Sequence, residues 1–203
     1  MTEQLPGMES ERRKPELSQW FTPPELAARI VEWALERFPV EDTLRVLEPS
    51  AGHGSLTRPL AAAGHRVHAV EIDPKNCEVL KTRSGAVELY CGDFLTLTSL
   101  LPYDLAVMNP PFENGAAEAH VLHALKFAPR VVAHVPLTTL EGRKRREGLW
   151  SEAYLKRLAI CSSRPKYGEK AGATAMCTID VVRRPEPTRG RVAASGVSVE
   201  WWA

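Results

Sequence analysis

Two hydrophobic periods alternate along the chain. The short apolar runs "LRVLE" (44–48), "HRVHAVEI" (65–72), "VELYC" (87–91), "YDLAVMN" (103–109) and "RVVAHVPL" (130–137) predict strands. Stretches with a three-to-four-residue apolar repeat predict the helices between them. In "FTPPELAARIVEWALERF" the repeat is Leu26, Ile30, Val31 and Ala34, with Thr22 as the expected cap, Pro23 in the first turn and Glu25 completing a T-x-x-E capping box. Further helices are predicted from the glycine loop "PSAGHGS" to about Ala63, from Pro74, near 95–101, over "AAEAHVLHALKFA" and over "GLWSEAYLKRL". "LAICSS" and "ATAMCTIDVVRR" then read as two strands without a helix between them. The alternation predicts an α/β fold, a doubly wound, mostly parallel seven-stranded sheet ending in an antiparallel C-terminal hairpin. Residues 1–16 read as a flexible tail, 17–184 as the domain and 185–203 as a C-terminal extension.

Composition alters this little. The 203 residues are 44% hydrophobic and 25% charged, as in a soluble globular protein. No run reaches the roughly 18 apolar residues of a membrane span, and the polar N-terminus lacks the apolar core of a signal peptide. A cytoplasmic location without membrane contact is expected. Cys77, Cys91, Cys161 and Cys177 form no C-x-x-C pair and read as free thiols in a reducing compartment. His120 and His123 are three apart on a helix but lack a third ligand nearby, so no metal is expected. Charge is more informative. Residues 1–142 carry 13 Lys/Arg against 19 Asp/Glu, whereas residues 143–191 carry 13 against 5. The basic third suits a polyanionic partner on one face.

In doubly wound sheets ligands bind beyond the carboxyl ends of the strands, and the unusual loops of this chain fall there. "LEPSAGHGS" places Glu48 before Gly52 and Gly54; the glycines permit close backbone approach, and the acid favours an ammonium group over a pyrophosphate. Glu71 follows Gly52 by 19 positions, a spacing that suits ribose hydroxyls, and Asp73 suits a helix cap. Asp93, in "CGDF", can accept from an adenine amine or cap the next helix. Asn109-Pro110-Pro111-Phe112 forms a stiff loop holding one amide and one ring. Three acids at successive strand ends with a glycine loop at the first describe an adenosine carrying an amino acid.

"LEPSAGHGS", "VEID", "GDF" and "NPPF", in this order, resemble class I S-adenosylmethionine-dependent methyltransferases, and more narrowly those that modify adenine N6 in DNA. "WFTPPELAARIV" resembles the aromatic-Thr-Pro turn preceding the glycine loop in one permutation of those enzymes. The resemblance runs from about Trp20 to Phe112 and implies a Rossmann-like methyltransferase fold. It implies S-adenosyl-L-methionine as cofactor, held by Trp20, Phe21, Thr22, Pro23, Glu48, Ser50, Ala51, Gly52, Gly54, Glu71, Ile72, Asp93, Phe94 and Asn109. Catalysis would fall to Asn109, Pro110, Pro111 and Phe112: the Asn109 side-chain oxygen and Pro110 carbonyl accept from the target amine, and Phe112 stacks on its base. Arg143, Lys144, Arg145, Arg146, Arg164, Lys166 and Tyr167 would join Phe112 in substrate binding. The acceptor it implies is DNA, with relaxed or partner-supplied sequence preference because no large target-recognition domain is evident. RNA adenine is the alternative, and a protein glutamine the less favoured one. Monomer and homodimer are both left open.

Overall fold

The computed structural model describes residues 21–83, 87–99, 101–167, 174–184 and 196–202. The amphipathic helix α1 (Pro24–Leu35) buries Ala27, Ile30, Val31, Trp33 and Ala34 along one stripe. It is followed by β1 (Arg45–Glu48), α2 (Thr57–Ala62), β2 (Arg66–Glu71), α3 (Pro74–Arg83), β3 (Glu88–Cys91), β4 (Leu105–Met108), α4 (Ala116–Ala124) and β5 (Arg130–Pro136). Two short helices, α5 (Arg143–Glu147) and α6 (Leu149–Glu152), lead to β6 (Ala153–Cys161), β7 (Met176–Arg183) and β8 (Ser198–Trp202).

The strands form one sheet in the order β3-β2-β1-β4-β5-β7-β6-β8. Strands β1 to β5 pair in parallel, and β7 runs antiparallel between β5 and β6. The chain winds outward from β1 to β3, then returns to place β4 on the other side of β1. That reversal opens a crevice beyond the ends of β1 and β4, the switch point of a doubly wound sheet. Both faces are covered, as the unbroken apolar strands require. Along β4, Leu105 and Val107 pack on the α1 side, while Ala106 and Met108 pack on the α4 side.

The fold class is as the sequence predicts, with four local differences. The segment "GLWSEAYLKRL" does not remain helical: α6 ends at Glu152, and Ala153–Cys161 is a strand. A short apolar pattern is ambiguous between the two periods, and here strand pairing on both sides decides it, with β7 on one edge and β8 on the other. The helix expected near 95–101 is only a 3-10 turn, Phe94–Thr96. The C-terminal extension supplies an eighth strand, whereas seven were expected. Cys77 and Cys91 are joined as a disulfide between α3 and the end of β3, and only Cys161 and Cys177 are free thiols.

Arg157 is the buried ion that fixes β6. The β6–β7 register shifts between Leu155 and Arg157. The Arg157 guanidinium donates to Asp180 Oδ2 at 2.8 Å, Glu36 Oε2 at 2.9 Å and the Trp33 carbonyl at 2.7 Å. It also lies 3.9 Å from the Trp33 ring centre. On the same side, β8 docks onto α1: Trp33 Nε1 donates to Glu200 Oε1 at 3.0 Å, Trp202 meets Trp33 edge-on at 5.7 Å, and Arg29 lies over the Trp202 ring. Trp202 is buried and Trp201 faces solvent. Replacing Arg157 by Met should destabilise the fold by about 3–5 kcal/mol, because Asp180 loses its principal counter-charge while buried. Urea denaturation would check this, and a loss under about 1 kcal/mol would contradict the assignment.

Candidate functional site

Glu71 organises the three strand ends. Its Oε2 accepts from the Gly52 N–H at 2.7 Å, and its Oε1 accepts from the Asp73 N–H at 2.8 Å and Asn76 Nδ2 at 3.2 Å. Its backbone carbonyl accepts from the Gly92 N–H at 2.8 Å. A carboxylate offers about four acceptor positions; three are used here, so capacity remains for a ligand hydroxyl. Asp73 caps α3 by accepting from the Lys75 N–H at 2.9 Å.

The glycine loop follows β1. Gly52 has φ +54°, and a Cβ there would stand 3.1 Å from two carbons of the Phe21 ring. Phe21 itself stacks on His53, with ring centres 3.9 Å apart. Glu48 is 1% exposed and accepts a hydrogen bond from the Thr57 hydroxyl. Burial, with Glu71 adding to it, raises its pKa to about 8. Asp93 Oδ1 accepts from the Leu95 N–H at 2.9 Å, so it caps the 3-10 turn while lining the cavity.

Thr22 does not cap α1. Pro23 occupies the cap position, and no side chain bonds there. The buried Thr22 hydroxyl instead accepts from Asn109 Nδ2 at 2.9 Å. The amide nitrogen thus faces Thr22 and its oxygen points away from it. Past the two prolines, Asn114 and Gly115 both take left-handed dihedrals, φ +55° and +79°. They turn the chain sharply, so α4 starts at the site.

These loops enclose a cavity of about 580 Å³. Of the expected residues, Phe21, Ser50, Gly52, Glu71, Ile72, Asp93, Phe94, Asn109, Pro110 and Pro111 line it. Glu48, Thr22 and Ala51 instead line a recess of about 20 Å³ that shares Phe21, Ser50, Gly52 and Asn109 with the larger space. Pro23 and Gly54 support the loops without lining either space. Phe112 is half-buried beside the cavity and is not part of its wall. Trp20 lies outside the described residues, as do the tail 1–16 and residues 185–195.

Pro49, Val70, Gly92 and Leu95 also line the cavity without being expected there, as do Glu113, Asn114, Gly115, Ala116, Ala119 and His120 beyond the prolines. The "NG" turn signal and the small residues at the start of α4 were the trace of the latter group in the sequence.

Part of the basic third lies at this end of the sheet, whereas Arg183 and Arg184 leave the antiparallel β7 at the opposite end and Arg157 is buried, so the basic residues do not share one face. Arg143, Lys144 and Arg146 are exposed on α5, and Arg145 pairs with Glu118 of α4, the helix that contributes Ala119 and His120 to the cavity. Because β6 runs in the same direction as β5, the segment with Arg164, Lys166 and Tyr167 leaves the sheet at the end where Asn109 leaves β4. Tyr167 is not brought into the cavity wall. Its hydroxyl bonds His134 Nε2 at 2.9 Å, and His134 Nδ1 bonds the Thr178 hydroxyl at 3.0 Å. Burial lowers the His134 pKa to about 3. Among the described residues no cluster of three or more His, Cys, Asp or Glu could hold a metal, and no helix is long and apolar enough to cross a membrane.

No family model matches the chain. A curated rRNA adenine N-6-methyltransferase of Corynebacterium diphtheriae is 34% identical over 106 residues, 51% of this chain and 41% of that protein. A ribosomal RNA small subunit methyltransferase A of Thermosynechococcus vestitus is 34% identical over 52% of the chain and 40% of its own length. The chain thus spans about two fifths of the length of these relatives. Among solved structures, a Pyrococcus horikoshii protein proposed to be an RNA methyltransferase superposes with a TM-score of 0.70 at 19% identity, covering 86% of this chain and 92% of that one. The 23S rRNA methyltransferase ErmE gives 0.61 at 24% identity, over 83% and 71%. A Synechocystis magnesium protoporphyrin IX methyltransferase with bound S-adenosylmethionine gives 0.60 at 16% identity, over 79% of each chain. The fold is therefore the α/β Rossmann-like fold of S-adenosylmethionine-dependent methyltransferases.

The raised pKa of Glu48 predicts a pH dependence of stability. The folded chain holds this proton to a higher pH than the unfolded chain does. The stabilisation it gives is complete below about 4.5 and is lost as pH rises through about 8. The Glu48→Gln variant should gain on the wild type between those limits, at about 1.4 kcal/mol per pH unit for one proton. Parallel urea titrations at pH 5.5 and 7.5 would check it; equal differences at both would refute the shift.

Proposed function

We propose that this chain transfers a methyl group from S-adenosyl-L-methionine to the exocyclic N6 amine of adenine in RNA. The observation that carries this reading is the Asn109 amide, held by Thr22 at a cavity bounded by two acidic strand ends, Glu71 and Asp93, with Glu48 in the adjoining recess. The curated relatives named above modify adenine in ribosomal RNA or act on ribosomal RNA, which favours RNA over the DNA acceptor implied by the sequence motifs. An adenine in a single-stranded RNA loop also offers its amine without the cost of opening a duplex.

The residues fit the cofactor. The remaining acceptor capacity of Glu71 suits a ribose hydroxyl. Gly52 lacks the Cβ that would crowd Phe21, so the Phe21 ring packs against the glycine loop at the cavity wall. Glu48, neutral alone, would ionise beside the ligand ammonium, directly or through a water in the recess. When bound, the cofactor supplies an electrophilic sulfonium methyl group and leaves as S-adenosylhomocysteine. The chain's part is positioning. Asn109 Oδ1 and the Pro110 carbonyl accept the two N–H bonds of the target amine, directing its lone pair and stabilising positive charge as it develops. Pro110 and Pro111 keep that pair of acceptors rigid. Phe112 and Tyr167 flank the base outside the cavity, and α5 with Arg164 and Lys166 meets phosphates. The catalytic unit spans residues 17–184 and includes β8.

Labelled S-adenosylmethionine offered with RNA, single-stranded DNA or duplex DNA tests the acceptor. Digested product should contain N6-methyladenosine from RNA; methylation confined to DNA would overturn the RNA reading. Asn109→Ala should lower kcat by about a hundredfold or more while leaving cofactor Kd nearly unchanged. A matching loss of cofactor affinity would make the loop structural.

Reversing Arg143, Lys144 and Arg146 should weaken RNA binding and reduce its salt slope by about 0.7 per lost phosphate contact. An unaltered slope would remove α5 from the interface.

A further inference from the structure

His120 belongs to the cavity wall and is 8% exposed, yet neither the mechanism nor the sequence motifs use it. It lies one helical turn into α4. Its Nδ1 stands 2.8 Å from the Ala116 carbonyl. A carbonyl can only accept, so Nδ1 carries the ring proton and donates. That fixes the tautomer: Nε2 bears a lone pair and is an acceptor. With Nδ1 turned back onto its own helix, Nε2 is the ring atom directed away from it. Burial lowers the His120 pKa, while the hydrogen bond to the Ala116 carbonyl and the nearby Asp93 work in the opposite sense and His123 reinforces the shift.

The surroundings say what an acceptor here would meet. Phe94 packs against the His120 ring at 5.7 Å, Asp93 is near enough to act on it electrostatically, and Leu95 lines the same cavity. His123, on the next turn, has its Nε2 on the Leu97 carbonyl at 2.8 Å and is occupied outside the cavity. Asp93 uses Oδ1 on the Leu95 N–H. Its other oxygen and His120 Nε2 are thus two acceptors on one apolar-bordered wall, and a primary amine on an aromatic ring has two N–H bonds to give.

We infer that His120 is a specificity residue for the bound cofactor, its Nε2 accepting one N–H of the adenine amine while Asp93 accepts the other. This inference rests on the cofactor reading above. A ring with a carbonyl in place of that amine would set oxygen against both acceptors and be rejected, since a site built for donors discriminates against analogues lacking them.

The test is calorimetric binding of S-adenosylhomocysteine and of its deaminated analogue, S-inosylhomocysteine. The wild-type chain, His120→Phe and His120→Gln are compared, with melting curves to verify folding. The wild type should prefer the adenine form; His120→Phe should reduce that preference by about tenfold, chiefly by weakening the adenine ligand. His120→Gln, whose amide oxygen can accept, should restore part of it. An unchanged preference in both folded variants, or equal loss for the two ligands, would overturn the assignment and leave the cofactor reading intact. Failure of the wild type to bind S-adenosylhomocysteine would overturn both.

Discussion

The site depends on one carboxylate. Through three side-chain bonds and its carbonyl, Glu71 ties the glycine loop, the start of α3 and the turn after β3 to the end of β2. The parallel pairing of β1, β2 and β3 brings these ends to one level; Glu71 converts that level into a fixed rim. An acid at this place would be costly if it were only buried. Its hydrogen bonds to backbone N–H groups make it part of the architecture, and the remaining acceptor capacity makes it useful to a ligand.

A second fixed element faces this rim. Two prolines stiffen the backbone after β4, and Thr22 holds the amide of Asn109 from a different part of the chain. Two successive left-handed residues then end the loop, so that α4 forms a wall instead of running on past the crevice. The cavity thus lies between a hydrogen-bonded rim and a rigid loop that presents the Asn109 amide. Arg145 and Glu118 join the basic helix to the same wall.

Much of this was legible because the governing physics is local. Acids at strand ends, glycines in tight turns and paired prolines are short-range features, and Glu48, Glu71, Asp93 and Asn109 do fall at or just past the ends of β1 to β4. Contacts between distant segments were not legible. Thr22 satisfies a capping-box pattern, yet its hydroxyl serves a residue 87 positions away. Arg157 fell within a predicted helix; in the strand it is buried, and Asp180 of β7 and Glu36 at the C-cap of α1 neutralise it. Cys77 and Cys91 carry no spacing signal, and only the packing of α3 on β3 brings them together. His120 looked like one half of an incomplete metal pair, because nothing in the sequence says which way its ring is turned.

The docking of β8 has a mechanical consequence. Trp33, Glu200 and Trp202 lash the last strand of the sheet to the helix that Phe21 and Thr22 lead into. That helix acts as a lever between an outer edge and the amide grip. A fusion joint, label or proteolytic nick that loosened β8 would therefore be transmitted along α1 to the alignment of Asn109, at a site it never touches.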